Sequence, residues 1–130
     1  MQSPIERLKP HVGEMIVYGW LILLPMTGTY WRNGIWNSEL ELWTDCLKKS
    51  PNKDRPHYNL GNVFLKQGKY QEAVDEYSEA LPINSNFAEA HYNLGNAYLM
   101  IGNRGLALKE YEILKTMNSG LANALYQKIK

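Results

Sequence analysis

The stretch His57–Leu81, HYNLGNVFLKQGKYQEAVDEYSEAL, returns from His91 to Leu114 as HYNLGNAYLMIGNRGLALKEYEIL. His57 and His91 stand 34 residues apart, and the first six letters of the two segments are identical. Self-similarity at a period of this size marks a chain built by copying one small supersecondary unit and stacking the copies. Each copy then buries a face that it could not bury alone. The fold is therefore to be read one unit at a time, outward from these two segments.

The period and the letters resemble the tetratricopeptide repeat, a pair of antiparallel helices, here called A and B. Leu60 and Gly61, then Leu94 and Gly95, fall at that family's Leu-Gly pair, where a residue without a side chain lets two helices approach closely. Phe64 and Tyr98 take its aromatic position one turn later. Ala73 and Ala107 take the small residue of helix B, and Tyr77 and Tyr111 its large aromatic. Gly68 and Gly102 take the turn between the helices, where a helix end favours a left-handed residue. Some letters depart from the pattern. The late small residue of helix B is Ala80 in the first unit but Leu114 in the second, the closing proline is replaced by Ser85 and Ser119, and Arg104 stands where the first unit has Tyr70. These changes predict looser packing after the second unit and the end of the array there. SGLANALYQKIK then reads as one more helix, with Ser119 as its N-cap and Leu121 and Leu125 one turn apart.

Counting 34 residues backward puts Gly34 at an inter-helix turn, Trp43 at the large aromatic, Cys46 at the late small position and Pro51 at the closing proline. The segment 37–53, NSELELWTDCLKKSPNK, then becomes a helix B opened by a capping box from Ser38 to Glu41. The expected fold is all-α, a right-handed tetratricopeptide solenoid of antiparallel helix pairs preceded by an apolar helix. It has a segment 1–33 containing the apolar helix, a degenerate repeat at 34–53, full repeats at 54–87 and 88–121, and a capping helix at 122–130. At least about three units are normally needed for a stable array. The chain is near that minimum, which keeps a homodimer or a supporting neighbour open.

Composition excludes several functions. With 130 residues, 45% hydrophobic content and a formal charge of +1, the chain is a folded domain and not a disordered tail. Its Lys and Arg residues are scattered, so no phosphate-neutralising patch is visible and nucleic acid is not an expected partner. The single Cys46 excludes an internal disulfide and leaves no cysteine cluster for zinc. His57 and His91 recur because the unit recurs, and no carboxylate-rich or cysteine-rich pattern accompanies them. No phosphate loop, nucleophile elbow or paired-carboxylate motif is present. No catalytic residue, metal or cofactor is expected.

Met15 to Trp31 carries no charged residue, close to the lower limit for crossing a bilayer core of about 30 Å. Tyr18 and Trp20 lie near one end and Tyr30 and Trp31 at the other, as an aromatic belt requires. Pro25 and Gly28 weaken the run as a span. It reads either as a membrane anchor or as an apolar helix A buried in the fold or in a dimer. The LPMTG inside it is no sortase signal, since its apolar run comes before the pentapeptide and about a hundred residues follow. Arg7 and Lys9 precede the run and acidic residues follow Arg32, which favours repeats on the extracytoplasmic side, the periplasm in a bacterium. A cleaved signal peptide is disfavoured by the lack of a small-x-small site after Leu24. The join TYWRNGIWNSELELWTDCLKKSPNKDRPHYNLGN resembles that between the last span and the repeats of multispanning membrane proteins, mannosyltransferase-like proteins among them. The resemblance implies that their catalytic membrane part lies outside this chain.

The same resemblance implies a site. In tetratricopeptide arrays the A helices line a concave groove, and the groove positions fall on Arg55, Tyr58, Asn59, Asn62, Leu65 and Lys66 in the first unit. In the second they fall on Glu89, Tyr92, Asn93, Asn96, Leu99 and Met100. Four asparagine amides, each both donor and acceptor, suit an extended peptide backbone, and the tyrosines add rigid apolar area with a polar tip. The expected function is a protein-interaction scaffold, membrane-tethered, that binds a peptide or protein. The alternative is an accessory subunit of a larger membrane complex, held by contacts around Tyr18, Trp20 and Leu23. A carboxylate clamp of the kind that holds chaperone tails is disfavoured, because Tyr58 stands where those relatives use lysine.

Overall fold

The computed structural model describes residues 34, 35 and 37–130, and every described element is helical. Residues 1–37 and Ser38–Lys130 form two separate units. The second contains both full repeats and the final helix. The helices are α1 (37–49), α2 (Asp54–Lys66), α3 (Tyr70–Ile83), α4 (Ala88–Met100), α5 (Arg104–Thr116) and α6 (Leu121–Ile129). Helix pairs α2/α3 and α4/α5 are the two copies, α3 packs on α4, and α6 packs on both α4 and α5.

The turn between A and B is made identically in both copies. Gly68 and Gly102 have φ of 75° and 81°. The amide of each glycine donates to Leu65 or Leu99, and the next amide, of Lys69 or Asn103, reaches back to Phe64 or Tyr98. This is the Schellman closure, which needs a left-handed residue to satisfy the last carbonyls of the helix. The end of α5 repeats it with Asn118, at φ 53°, whose amide donates to Lys115 while that of Ser119 donates to Leu114. Asparagine is the side chain most tolerant of that conformation after glycine.

The core is continuous across the copies. Ala73, Val74, Tyr77, Leu94 and Ala97 form one buried cluster, and Ala107, Leu114, Ala122, Leu125 and Ile129 another; Tyr98 packs against both. Gly61 lies where the sequence requires close approach: a Cβ there would stand 2.6 Å from Cε1 of the buried Tyr77. Gly95 makes room for something else. Its Cβ would meet Leu125 Cδ2 of α6 at 2.6 Å and Glu110 Cβ at 3.4 Å.

Three expectations are corrected. Leu114 does not loosen the end of the array; it is fully buried, because α6 brings the small Ala122 beside Leu125 and Ile129 against it. Gly34, expected in a turn, is helical, and so are Ile35 and Asn37. Ser38 to Glu41 therefore lies inside helical backbone, where amides already have partners and a capping box has no free donor to serve. Ser119 does cap α6, its hydroxyl accepting from the Leu121 amide at 3.2 Å. Among the described residues no helix is long and apolar enough to cross a membrane. The apolar run with Tyr18, Trp20 and Leu23 lies outside them.

Candidate peptide-binding groove

The twelve residues expected to line the groove lie on α2 and α4, the A helices of the two copies, and the fold gives them unequal tasks. Asn62 and Asn93 are joined. Asn62 Oδ1 accepts from Tyr77 Oη at 2.7 Å and from Asn93 Nδ2 at 2.8 Å, and the same Asn93 nitrogen lies 3.3 Å from Tyr58 Oη. One side of each amide is thus spent on holding α2, α3 and α4 in register. The other side, the Asn62 NH₂ and the Asn93 carbonyl, makes no hydrogen bond within the described residues, and none of their buried side-chain polar atoms lacks a partner. Those groups consequently face solvent with their orientation fixed. Burial in this network, with Tyr58 nearby, drives the Tyr77 phenol well above its ordinary pKa, so it is a hydrogen-bond donor at any physiological pH.

At the start of the A helices, Arg55, Tyr58 and Glu89 share a cleft with Asp54, Asn84 and Phe87. The Tyr58 ring lies 4.5 Å from that of Phe87 and 5.9 Å from that of Tyr77. Asn84 Nδ2 donates to Asp54 Oδ2 at 2.8 Å, which lowers the Asp54 pKa and ties the linker between copies to the first turn of α2. At the other end, Leu65, Asn96, Leu99 and Met100 meet in a second cleft with Tyr70 and Lys128. Lys66 is turned aside to Glu39 on α1, at 3.6 Å. Asn59 has no hydrogen-bond partner among the described residues.

The recurrent histidines belong to the frame. His57 Nδ1 lies 2.8 Å from Glu76 Oε2 and its Nε2 3.2 Å from the Pro51 carbonyl; His91 repeats this with Glu110 at 2.7 Å and the Ser85 carbonyl at 3.2 Å. Each ring therefore ties helix A to helix B and to the loop before it. Burial works against the charged form of His91, yet the hydrogen bonds to Glu110 and Ser85 outweigh it and the pKa is raised. Among the described residues no group of three or more His, Cys, Asp or Glu side chains could hold a metal.

A tetratricopeptide repeat profile matches residues 42–75 and a TPR repeat profile matches residues 61–102. These segments are tetratricopeptide repeats. Fifty-three residues of the chain, 41% of its length, are 42% identical to a protein O-mannosyl-transferase of Caenorhabditis elegans, and they span only 8% of that protein. The solenoid is also found in known structures at 16–21% identity, which speaks to fold alone. The first TPR of Spaghetti bound to an HSP90 peptide superposes with TM-score 0.69 at 20% identity, covering 84% of this chain and 88% of that one. The second TPR domain of human RPAP3 with an HSP70 peptide gives 0.68 at 19%, covering 78% and 87%.

Sequence reasoning placed the tetratricopeptide A helices correctly and missed their partners. Lys128, Phe87 and Tyr70 come to the groove from α6, from the linker and from α3. Only Tyr70 carried a signal, as the residue replaced by Arg104 in the second repeat.

Proposed function

We propose that the repeats form a non-catalytic interaction module that takes an extended peptide or protein segment along the faces of α2 and α4. The observation that carries this reading is the fixed amide pair: a solvent-facing donor on Asn62 and an acceptor on Asn93, oriented by bonds on their other side. An extended strand offers the complementary carbonyl and N–H whatever its side chains. Relatives in complex with HSP90 and HSP70 peptides support a peptide as the partner class. The test is site-specific photocrosslinking in cells. A photoreactive residue at Met100, exposed in the groove, is compared with one at Leu108, exposed on α5. Adducts to a protein from Met100 but not from Leu108 are expected. Equal labelling from both positions, or none from Met100, overturns the reading.

A second reading concerns tethering. The identity to a stretch of an O-mannosyl-transferase favours repeats that work beside a membrane glycosyl-transfer system, held through the segment around Tyr18, Trp20 and Leu23, with the repeats extracytoplasmic. Alkaline extraction of membranes followed by protease treatment tests it. A chain that leaves the pellet at high pH removes the anchor, and repeats digested only from the cytoplasmic side remove the topology.

A further inference from the structure

The cleft between Leu65, Tyr70, Leu99, Met100, Asn96 and Lys128 encloses about 520 Å³ and has mostly apolar walls. Its one charge is the Lys128 ammonium. That group donates to Asn96 Oδ1 at 3.0 Å and lies 5.0 Å from the centre of the Tyr92 ring. Hydrogen bonding to Lys128 holds the Tyr92 phenol below its ordinary pKa. Lys66, Lys49 and Lys115 are paired with Glu39, Asp45 and Glu112, whereas Lys48, Lys53, Lys69, Lys109 and Lys130 have no such pairing among the described residues but do not line this cleft. Lys128 has no carboxylate partner among the described residues. A long cation is thus pinned by two neutral groups at the edge of an aliphatic recess, with its counter-charge supplied by nothing in the described fold. Lys128 is exposed to solvent but held in place, and a positioned cation at the rim of an apolar cleft favours a ligand of complementary charge.

Resting on the groove reading above, we propose that this cleft selects a peptide segment in which an aliphatic side chain stands next to an internal Glu or Asp. The aliphatic group enters between Leu65, Leu99 and Met100, and the carboxylate meets Lys128. The acidic residue is internal to the segment because the faces of α2 and α4 continue beyond the cleft toward Tyr58 and Arg55, leaving room for the chain to run on. Leu65 and Arg55 are ten positions apart on α2, about 15 Å, which some five extended residues span.

The test uses the full chain and fluorescein-labelled ten-residue peptides that differ only at two central positions: Leu-Glu, Leu-Gln, Leu-Lys and Ser-Glu. A fifth peptide ends in Leu with a free terminal carboxylate. Fluorescence anisotropy is expected to rank Leu-Glu about fivefold to tenfold tighter than Leu-Gln, the size of one charge-assisted contact, and tighter than Ser-Glu. Lys128→Gln keeps a donor for Asn96 and is expected to abolish the preference for Glu over Gln while keeping that for Leu over Ser. Lys128→Glu is expected to favour Leu-Lys. A Glu preference that survives Lys128→Gln, tighter binding of the peptide with the free terminus, or no binding of Leu-Glu to the parent chain overturns the proposal. If Met100 still crosslinks a cellular protein in that event, the groove reading stands and only its chemistry was wrong.

Discussion

At the scale of single residues, identical letters do unequal work. Gly61 faces the ring of Tyr77, which is fully buried and tied to Asn62, so an added methyl has nowhere to go. Gly61→Ala is expected to cost about 1–3 kcal/mol, the usual cost of overpacking a filled site. Gly95 faces the far end of the Leu125 side chain, which can turn away, so Gly95→Ala should cost less. Urea denaturation of both variants checks the order, and a larger loss at Gly95 would sink the argument. Asn118 holds a left-handed turn at φ 53°, as Gly68 and Gly102 do. Asn118→Gly is expected to be neutral or to stabilise by a few tenths of a kcal/mol, while Gly68→Ala loses about 1 kcal/mol. Thermal melts that show Gly68→Ala unchanged would contradict the turn.

At the scale of helices, each pair is fastened by a histidine whose two ring nitrogens both face acceptors. For His91 those are the Glu110 carboxylate and the Ser85 carbonyl, a geometry that only the protonated ring satisfies on both sides. Since the folded pKa of His91 is raised, its contribution to stability is fully present below its unfolded pKa of about 6.5 and is lost as pH rises through the higher folded value. The stability gap between the parent chain and His91→Gln should therefore narrow as pH rises above about 6.5. A gap that widens over that rise would reverse the assignment. The pairing of helices was legible in the sequence because Gly61, Gly68, Ala73 and Tyr77 are residue types that few backbones other than a close helix pair require. The histidine bonds were not legible. His57 and Glu76 are nineteen positions apart, on different helices, and no local period links them. Gly34 misled for a related reason: counting a period assigns a place to a letter, but an isolated glycine is also tolerated in a helix.

For the repeat array as a whole, stability is a sum over neighbours, and the last neighbour matters most to the unit before it. Helix α6 covers Leu114 and Ala107 and fills the space left by Gly95. Leu125→Ala is expected to cost about 2–5 kcal/mol. Hydrogen exchange should show the added opening in α4 to α6, with α2 and α3 nearly unaffected; uniform loss across the repeats would show that the array unfolds as one block. The sequence suggested a final helix from the spacing of Leu121 and Leu125, but the groove it helps to build was hidden. Lys128 reaches Asn96 only because α6 packs on α4. Such a contact follows from the stacking of copies and leaves no trace within any one of them.

The bond between Asn62 and Asn93 carries a consequence for how the chain can be lengthened. Asn59 holds in the first copy the place that Asn93 holds in the second. A duplicate of residues 54–87 spliced in after Phe87 would thus present its own asparagine to Asn62 and, through its own Asn62, meet Asn93 in turn. The joint is written into the module, so growth from the middle needs no new chemistry. Growth after the second copy is different, since Leu114 and Gly95 are already shaped to Leu125 and Ala122, and a further unit would have to begin with those side chains.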